Sequence, residues 1–263
     1  MNPNEINFTF AGKHCLRDFG CVWVERDGRP FAPAITRNSY EIAGTDGTAL
    51  LPGETRSEME ISGTLVLVQE PRNQHEAQQR MREIARWLMD GRKQLIYDYE
   101  PERYYLAQVD DELTWSLGGW FGGEIGVTFK MQPCAYNLHA DKASARTTGN
   151  AVKLGLTVRT QRPAPLEVII KNTGGAPITG AAITAQGKRA VFEAMSLAAD
   201  QSLTVTMEPP IGAVFSTGES ALPFAHAFDH ITLDRGAQTV DVALTYGSGT
   251  PGATVTASAR GRC

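Results

Sequence analysis

The feature that most constrains this chain is a two-residue alternation of apolar and polar side chains through residues 96–136, IYDYEPERYYLAQVDDELTWSLGGWFGGEIGVTFKMQPCAY. Runs at 104–109, 113–117 and 126–131 each set apolar residues on one face and polar residues on the other, as half-buried strands do. Asp110, Asp111 and Glu112 separate the first two runs, and Gly118-Gly119 and Gly122-Gly123 separate the last two. Paired glycines supply the positive φ that tight turns demand. Pro133 follows the last run, where a missing N–H and a fixed φ end a strand. The pattern predicts an antiparallel meander, which is a scaffold and not a reactive site.

One segment breaks from this period. Residues 59–68 alternate and then become continuously apolar, and directly afterwards Ala77, Met81, Ile84, Ala85 and Leu88 recur at helical spacing. Arg80, Arg82, Glu83 and Arg86 fall on the opposite side. The spacing predicts a helix over about 72–90 that covers a sheet, with Pro71 in its first turn and Gly91 at its C-terminal cap. Residues 5–11 and 21–26 read as short strands around a turn at Gly12 and Lys13, while Asp46-Gly47 and Pro52-Gly53 mark a projecting loop.

With 263 residues, two domains of about 100–150 residues each are expected. Residues 137–150 are polar and irregular and read as a linker. Beyond them aromatics thin out and Ala, Thr, Val and Ile dominate. Runs at 152–159, 165–171, 178–185, 189–197, 202–207, 228–233, 239–245 and 253–258, separated by turn residues, predict a β-sandwich. The fold class is therefore mainly β: an α+β first domain at 1–136 with one helix on antiparallel sheets, then a sandwich at 151–263.

The chain carries a net charge of −4, and the acidity belongs to its first part. Residues 1–150 hold 16 Lys/Arg against 21 Asp/Glu, and the rest hold 9 against 8. That balance argues against a phosphate-gripping protein. No apolar run reaches the roughly 20 residues of a membrane span, and no signal-peptide pattern opens the chain, so synthesis and folding in a cytoplasm are expected. Cys15, Cys21, Cys134 and Cys263 form no C-x-x-C pair and read as small buried or surface residues.

The candidates for chemistry each have a plainer reading. His226-x-x-x-His230 invites a metal, but no carboxylate or cysteine of ligand spacing accompanies it. Asp110, Asp111 and Glu112 could divide acid and base roles between them, yet consecutive acids more often form a solvated turn. Ser39, Ser57 and Ser62 lack a nucleophile setting, and the glycine pairs lack the strand-then-helix context of a phosphate loop. Trp115 reads as core; Trp120 and Phe121, near a hairpin tip, read as a subunit contact more readily than as a stacking platform. No catalytic residue, metal or cofactor is expected.

Several segments resemble one known family. Glu100-Pro101-Glu102-Arg103-Tyr104-Tyr105-Leu106-Ala107-Gln108-Val109, followed by a strand that ends in Thr128-Phe129-Lys130 with Pro133, Ala135 and Tyr136, is similar to the distal tail protein (Dit) family of long-tailed phages. Phe10-Ala11-Gly12-Lys13 with Asp18-Phe19-Gly20 resembles that family's opening Phe-Asn-Gly-Lys and Asp-Phe-Gly, with Ala11 where Asn is usual. Residues 42–51 look like its Pro-Gly-Arg-Asp-Gly-Thr-Leu-Leu loop, with Ala43 and Thr45 departing from it. The second half looks, more loosely, like the galectin-like domain of many such proteins. The resemblance implies a homohexameric ring at the distal end of a tail tube, through which DNA passes. It joins the tube protein to the tail-tip hub and to receptor-binding or other baseplate proteins in the virion. Under that reading Asp110, Asp111 and Glu112 line a lumen, and Asp46, Gly47, Trp120 and Phe121 contact neighbouring subunits. The other reading is a carbohydrate-binding module on a cell-surface glycan, for which a second half without Trp is poorly equipped.

Overall fold

The computed structural model describes residues 7–263, apart from positions 27, 29, 31, 42–45, 47, 70 and 118–122. The protein is mainly β and divides into two compact units, Met1–Ala135 and Tyr136–Cys263.

In the first unit the elements are β1 (Phe8–Phe10), β2 (Lys13–His14), α1 (Cys15–Phe19), β3 (Cys21–Glu25), β4 (Ile35–Glu41), β5 (Thr48–Arg56), β6 (Met59–Leu67), α2 (Gln74–Leu88), β7 (Lys93–Tyr97), β8 (Arg103–Gln108), β9 (Trp115–Leu117) and β10 (Gly123–Met131). The main sheet is antiparallel in the order β2-β1-β7-β8-β10-β6-β3, with β9 also on β10; β4 and β5 form a two-stranded sheet of their own. Along β10 burial alternates residue by residue, with Ile125, Val127, Phe129 and Met131 inside. The core is aromatic. Phe8 packs edge-on to Trp23 and Phe129 at 5.5 and 5.2 Å and lies parallel to Trp87 at 5.8 Å, while Phe19 stacks on Trp87 at 4.3 Å.

The helix forms where its spacing predicts. Asn73 caps it by accepting from Glu76 N at 2.9 Å, and Pro71 lies before the cap and not inside the first turn. Met89 is the C-cap, and Gly91 lies two residues beyond it with φ +76°. Ala77, Ile84 and Leu88 are buried as expected. So is Trp87, which the stripe omitted and whose Nε1 donates to Phe10 O at 2.7 Å. Arg80 does not face away: it donates to Gln69 O at 2.8 Å and pairs with Glu76 at 3.2 Å. The short helix α1 was unforeseen because its cap is a histidine. His14 Nδ1 accepts from Leu16 N and Arg17 N, and Asp18 accepts from His14 N in return. That bond, with Arg17 alongside, lowers the Asp18 pKa.

The β1–β2 hairpin closes on Ala11 (φ +49°) and Gly12 (φ +78°), both left-handed, as a two-residue type I′ turn requires. Ala bears the Cβ penalty there that Asn largely escapes. Ala11→Asn is therefore expected to stabilise the protein by about 1 kcal/mol, read as a raised denaturant midpoint.

One feature of the meander is corrected. β8 and β9 do not reverse into one another: both run antiparallel to β10 along the same edge, Gln108 opposite Lys130 and Trp115 opposite Ile125. The stretch from 108 to 115 has two more residues than the stretch it faces. Asp110, Asp111 and Glu112 are thus an outward excursion within one interrupted strand, not a turn. Alternation specifies which face a side chain takes, not the direction of the next strand.

The second unit is a sandwich. It contains β11 (Tyr136–Asn137), β12 (Asp141–Thr147), β13 (Ala151–Val158), β14 (Ala164–Asn172), β15 (Ile178–Ala185), β16 (Lys188–Phe192), β17 (Ser202–Thr206), β18 (Gly212–Phe215), β19 (Ala225–Phe228), β20 (Thr232–Leu233), β21 (Gly236–Tyr246) and β22 (Ala253–Ala259). One sheet runs β12-β22-β14-β17-β18, with β20 on β14, and the other β13-β21-β15-β16-β19. Their inner faces enclose one core that includes Leu166, Ile170, Ile183, Phe192, Val242 and Val255.

The linker expected at 137–150 is instead mostly strand. β12 pairs with β22 over its whole length, from Asp141–Ala259 to Thr147–Ala253. Asp141 is buried and accepts from Arg159 N and Nε at 2.8 and 2.9 Å. Its inward residues, Ala143 and Ala145, are too small to mark the run as apolar. The run at 228–233 is likewise divided between β19 and β20, and β18 went unread.

Candidate assembly surfaces

No convergent reactive cluster forms among the described residues, and no three of their His, Cys, Asp and Glu side chains gather as metal ligands would. His226 lies in β19 and His230 beyond the end of that strand, where its ring meets Met207 O at 3.1 Å. Two of the thiols are held inert. Burial pushes the Cys15 pKa up to about 11 and that of Cys21 up to about 12, so neither ionises near neutrality. Cys134 is buried and Cys263 half-buried.

Three surface features remain. The first is the acidic excursion. Asp110, Asp111 and Glu112 are all exposed. Gln108 Nε2 donates to both oxygens of Asp110, and Lys130 Nζ lies 3.8 Å from both Asp110 and Asp111. Three carboxylates against one ammonium leave a negative point on the surface.

The second is the β4–β5 arm. Ile35, Thr36, Arg37, Asn38 and Ser39 on one strand and Glu54 and Thr55 on the other are exposed. A two-stranded ribbon that buries so little is marginal alone in water. It is braced by Glu54, 3.3 Å from Arg56 and 3.8 Å from Arg37. Asp46 is exposed near its tip; Gly47 lies outside the described residues.

The third is a groove of about 210 Å³ between α2 and the β9–β10 ribbon, lined by Met81, Ala85, Leu113, Trp115 and Ile125, with Gln78 and Arg82 at its rim. Trp115 is half-buried and packs against the core, with its ring across Gly123 and its Nε1 buried without a hydrogen-bond partner among the described residues. Trp120 and Phe121, and the glycines at 118, 119 and 122, lie outside the described residues. The sequence did hold a sign of this groove: Met81 and Ala85 widen the helix stripe beyond what the core fills.

No family model matches the chain, and no curated protein matches it. Among solved structures, the crystal structure of the SPP1 Dit (gp 19.1) protein is similar over 98% of this chain and 99% of that one, with a TM-score of 0.66 at 16% sequence identity. That protein is described as a paradigm of the hub adsorption apparatus in phages infecting Gram-positive hosts. At this identity the likeness is one of architecture: the chain has a Dit-like, β-rich fold.

Proposed function

We propose that the chain is a structural subunit of a phage tail tip, six copies of which close into a ring at the distal end of the tail tube. The observation that carries this reading is the fold likeness to the SPP1 Dit protein over nearly the whole of both chains. Surface physics supports it. A ring needs a heterologous interface whose rotation closes, and this unit offers complementary means. The β4–β5 arm is under-buried by itself, and β3 ends the main sheet with one side unpaired among the described residues.

In this reading the first unit builds the ring, with Asp46, Gly47, Trp120 and Phe121 at subunit contacts. The second, a sandwich read as galectin-like, decorates the outside. The partners are the tail tube protein, the tail-tip hub or tail-associated protein, and receptor-binding or other baseplate proteins. The product is made in the host cytoplasm, resides in the virion, and has no catalytic task. Asp110, Asp111 and Glu112 face the lumen, where like charge keeps the DNA backbone from sticking.

Light scattering of the purified chain is expected to give about six times its 28.5 kDa mass, with annular particles in negative stain. A monomer at every concentration tried would overturn the reading. Replacing Asp110, Asp111 and Glu112 together with Lys is expected to leave the ring intact and slow DNA ejection at low salt by about tenfold. Unchanged ejection would remove these residues from the lumen.

A further inference from the structure

Single exposed hydrophobic side chains are normal on soluble domains, so clustering of them is informative. In the second unit every large one among the described residues falls within 211–224: Ile211, Val214, Leu222 and Phe224, each 37–48% exposed. They lie along β18 and the segment that returns beside it, a wall at one edge of the sandwich. β18 is the last strand of its sheet, and the chain folds back along its outer side, Ala221 N donating to Ala213 O at 2.8 Å and Phe215 N to Glu219 O at 2.9 Å. This return, through the Val214–Ser220 bridge, brings Leu222 alongside β18. The 3₁₀ turn Leu222–Phe224 then leads to β19, the edge strand of the other sheet, with Phe224 edge-on to Phe215 at 5.9 Å.

The segments that build this wall carry charge of one sign. Residues 190–228 contain no Lys or Arg and four carboxylates, Glu193, Asp200, Glu208 and Glu219. Asp200 has Lys171 at 3.8 Å; the other three have no ion-pair partner among the described residues. Two of them join the wall through the main chain, since Glu193 N donates to Phe224 O at 2.9 Å and Glu219 O holds Phe215 N. Glu208 leads through Pro209 and Pro210 into Ile211. Prolines at 209, 210 and 223 fix φ on both sides, so little backbone freedom is lost when the wall is covered.

We propose that this wall docks a segment of a partner protein that interleaves aliphatic side chains with Lys or Arg. The aliphatic groups cover Val214, Leu222 and Phe224, and the cations meet the unpaired carboxylates. A second copy of the same wall would bring like charges together and is disfavoured. The inference does not depend on the ring reading.

The test uses the full-length protein and two short synthetic peptides, one alternating Leu with Lys and one alternating Leu with Glu. Backbone amide shifts are followed by NMR at low and moderate salt. The Leu–Lys peptide is expected to perturb amides within 211–224, and the Leu–Glu peptide is not. A Glu193→Gln, Glu208→Gln, Glu219→Gln variant and a Val214→Ser, Leu222→Ser variant are each expected to weaken the Leu–Lys peptide by about tenfold while keeping the dispersed spectrum of the parent. Absence of binding, perturbation elsewhere, equal binding of both peptides, or self-association through 211–224 would each overturn the proposal.

Discussion

Gly63→Val is expected to leave the first unit unfolded, and Gly63→Ala to cost about 3 kcal/mol. Gly63 lies mid-way along β6, opposite Val127 of β10 on one side and Glu25 of β3 on the other. A Cβ there would come within 3 Å of three atoms of the Trp23 ring. That ring is fully buried, with Phe8 edge-on at 5.5 Å and Phe129 at 5.8 Å, so it cannot yield without displacing the aromatic core. Denaturant unfolding followed by circular dichroism measures the loss. In a double-mutant cycle, Gly63→Ala should cost at least about 1 kcal/mol less on a Trp23→Leu background than in the parent, because the smaller side chain removes the clash with the new Cβ. An unchanged midpoint for Gly63→Ala would contradict the packing.

The second large effect is expected at Asn172, at the end of β14. Its side chain is fully buried. Nδ2 donates to Ala176 O at 2.9 Å and Leu197 O at 2.8 Å, and Oδ1 accepts from Gly174 N at 3.0 Å. One side chain thus ties together three main-chain groups of two separate loops. Asn172→Leu keeps the volume but leaves Ala176 O without a donor and takes away one of two bonds at Leu197 O, which also accepts from Ile178 N, and at Gly174 N, which also donates to Gly252 O, a loss of about 2 kcal/mol. Asn172→Asp keeps the acceptor and sets a carboxylate against two carbonyls, so it too is expected to unfold at lower denaturant. Wild-type stability in Asn172→Leu would mean that water reaches these groups.

The candidate surfaces were legible to unequal degrees. Asp46 and the acidic residues at 110–112 were identified as exposed, because turn residues and runs of acids avoid a core. Their setting was misread: the acids interrupt a strand that resumes at Trp115, and nothing local distinguishes that from a reversal. The groove beside α2 was not identified, since it needs Met81 and Ala85 from a helix to meet Leu113, ahead of β9, and Ile125, in β10, far along the chain. The wall at 211–224 escaped for a similar reason: β18 is short and contains Gly212, and its apolar residues become a surface only when the chain returns along them.

By itself the sequence determined the elements whose signal is periodic and local. These are the alternation of β10, the 3.6-residue stripe of α2, and the even series of strands from 151 onward. Each reflects a side chain choosing between core and water, a choice repeated at every turn or pleat. Only the tertiary structure decided which strands neighbour one another, that β12 pairs along β22, and that Trp87 joins Phe8 and Phe19 under the sheet. Those outcomes rest on contacts between residues distant in the chain, whose energies depend on shape and mutual fit and leave no period to read.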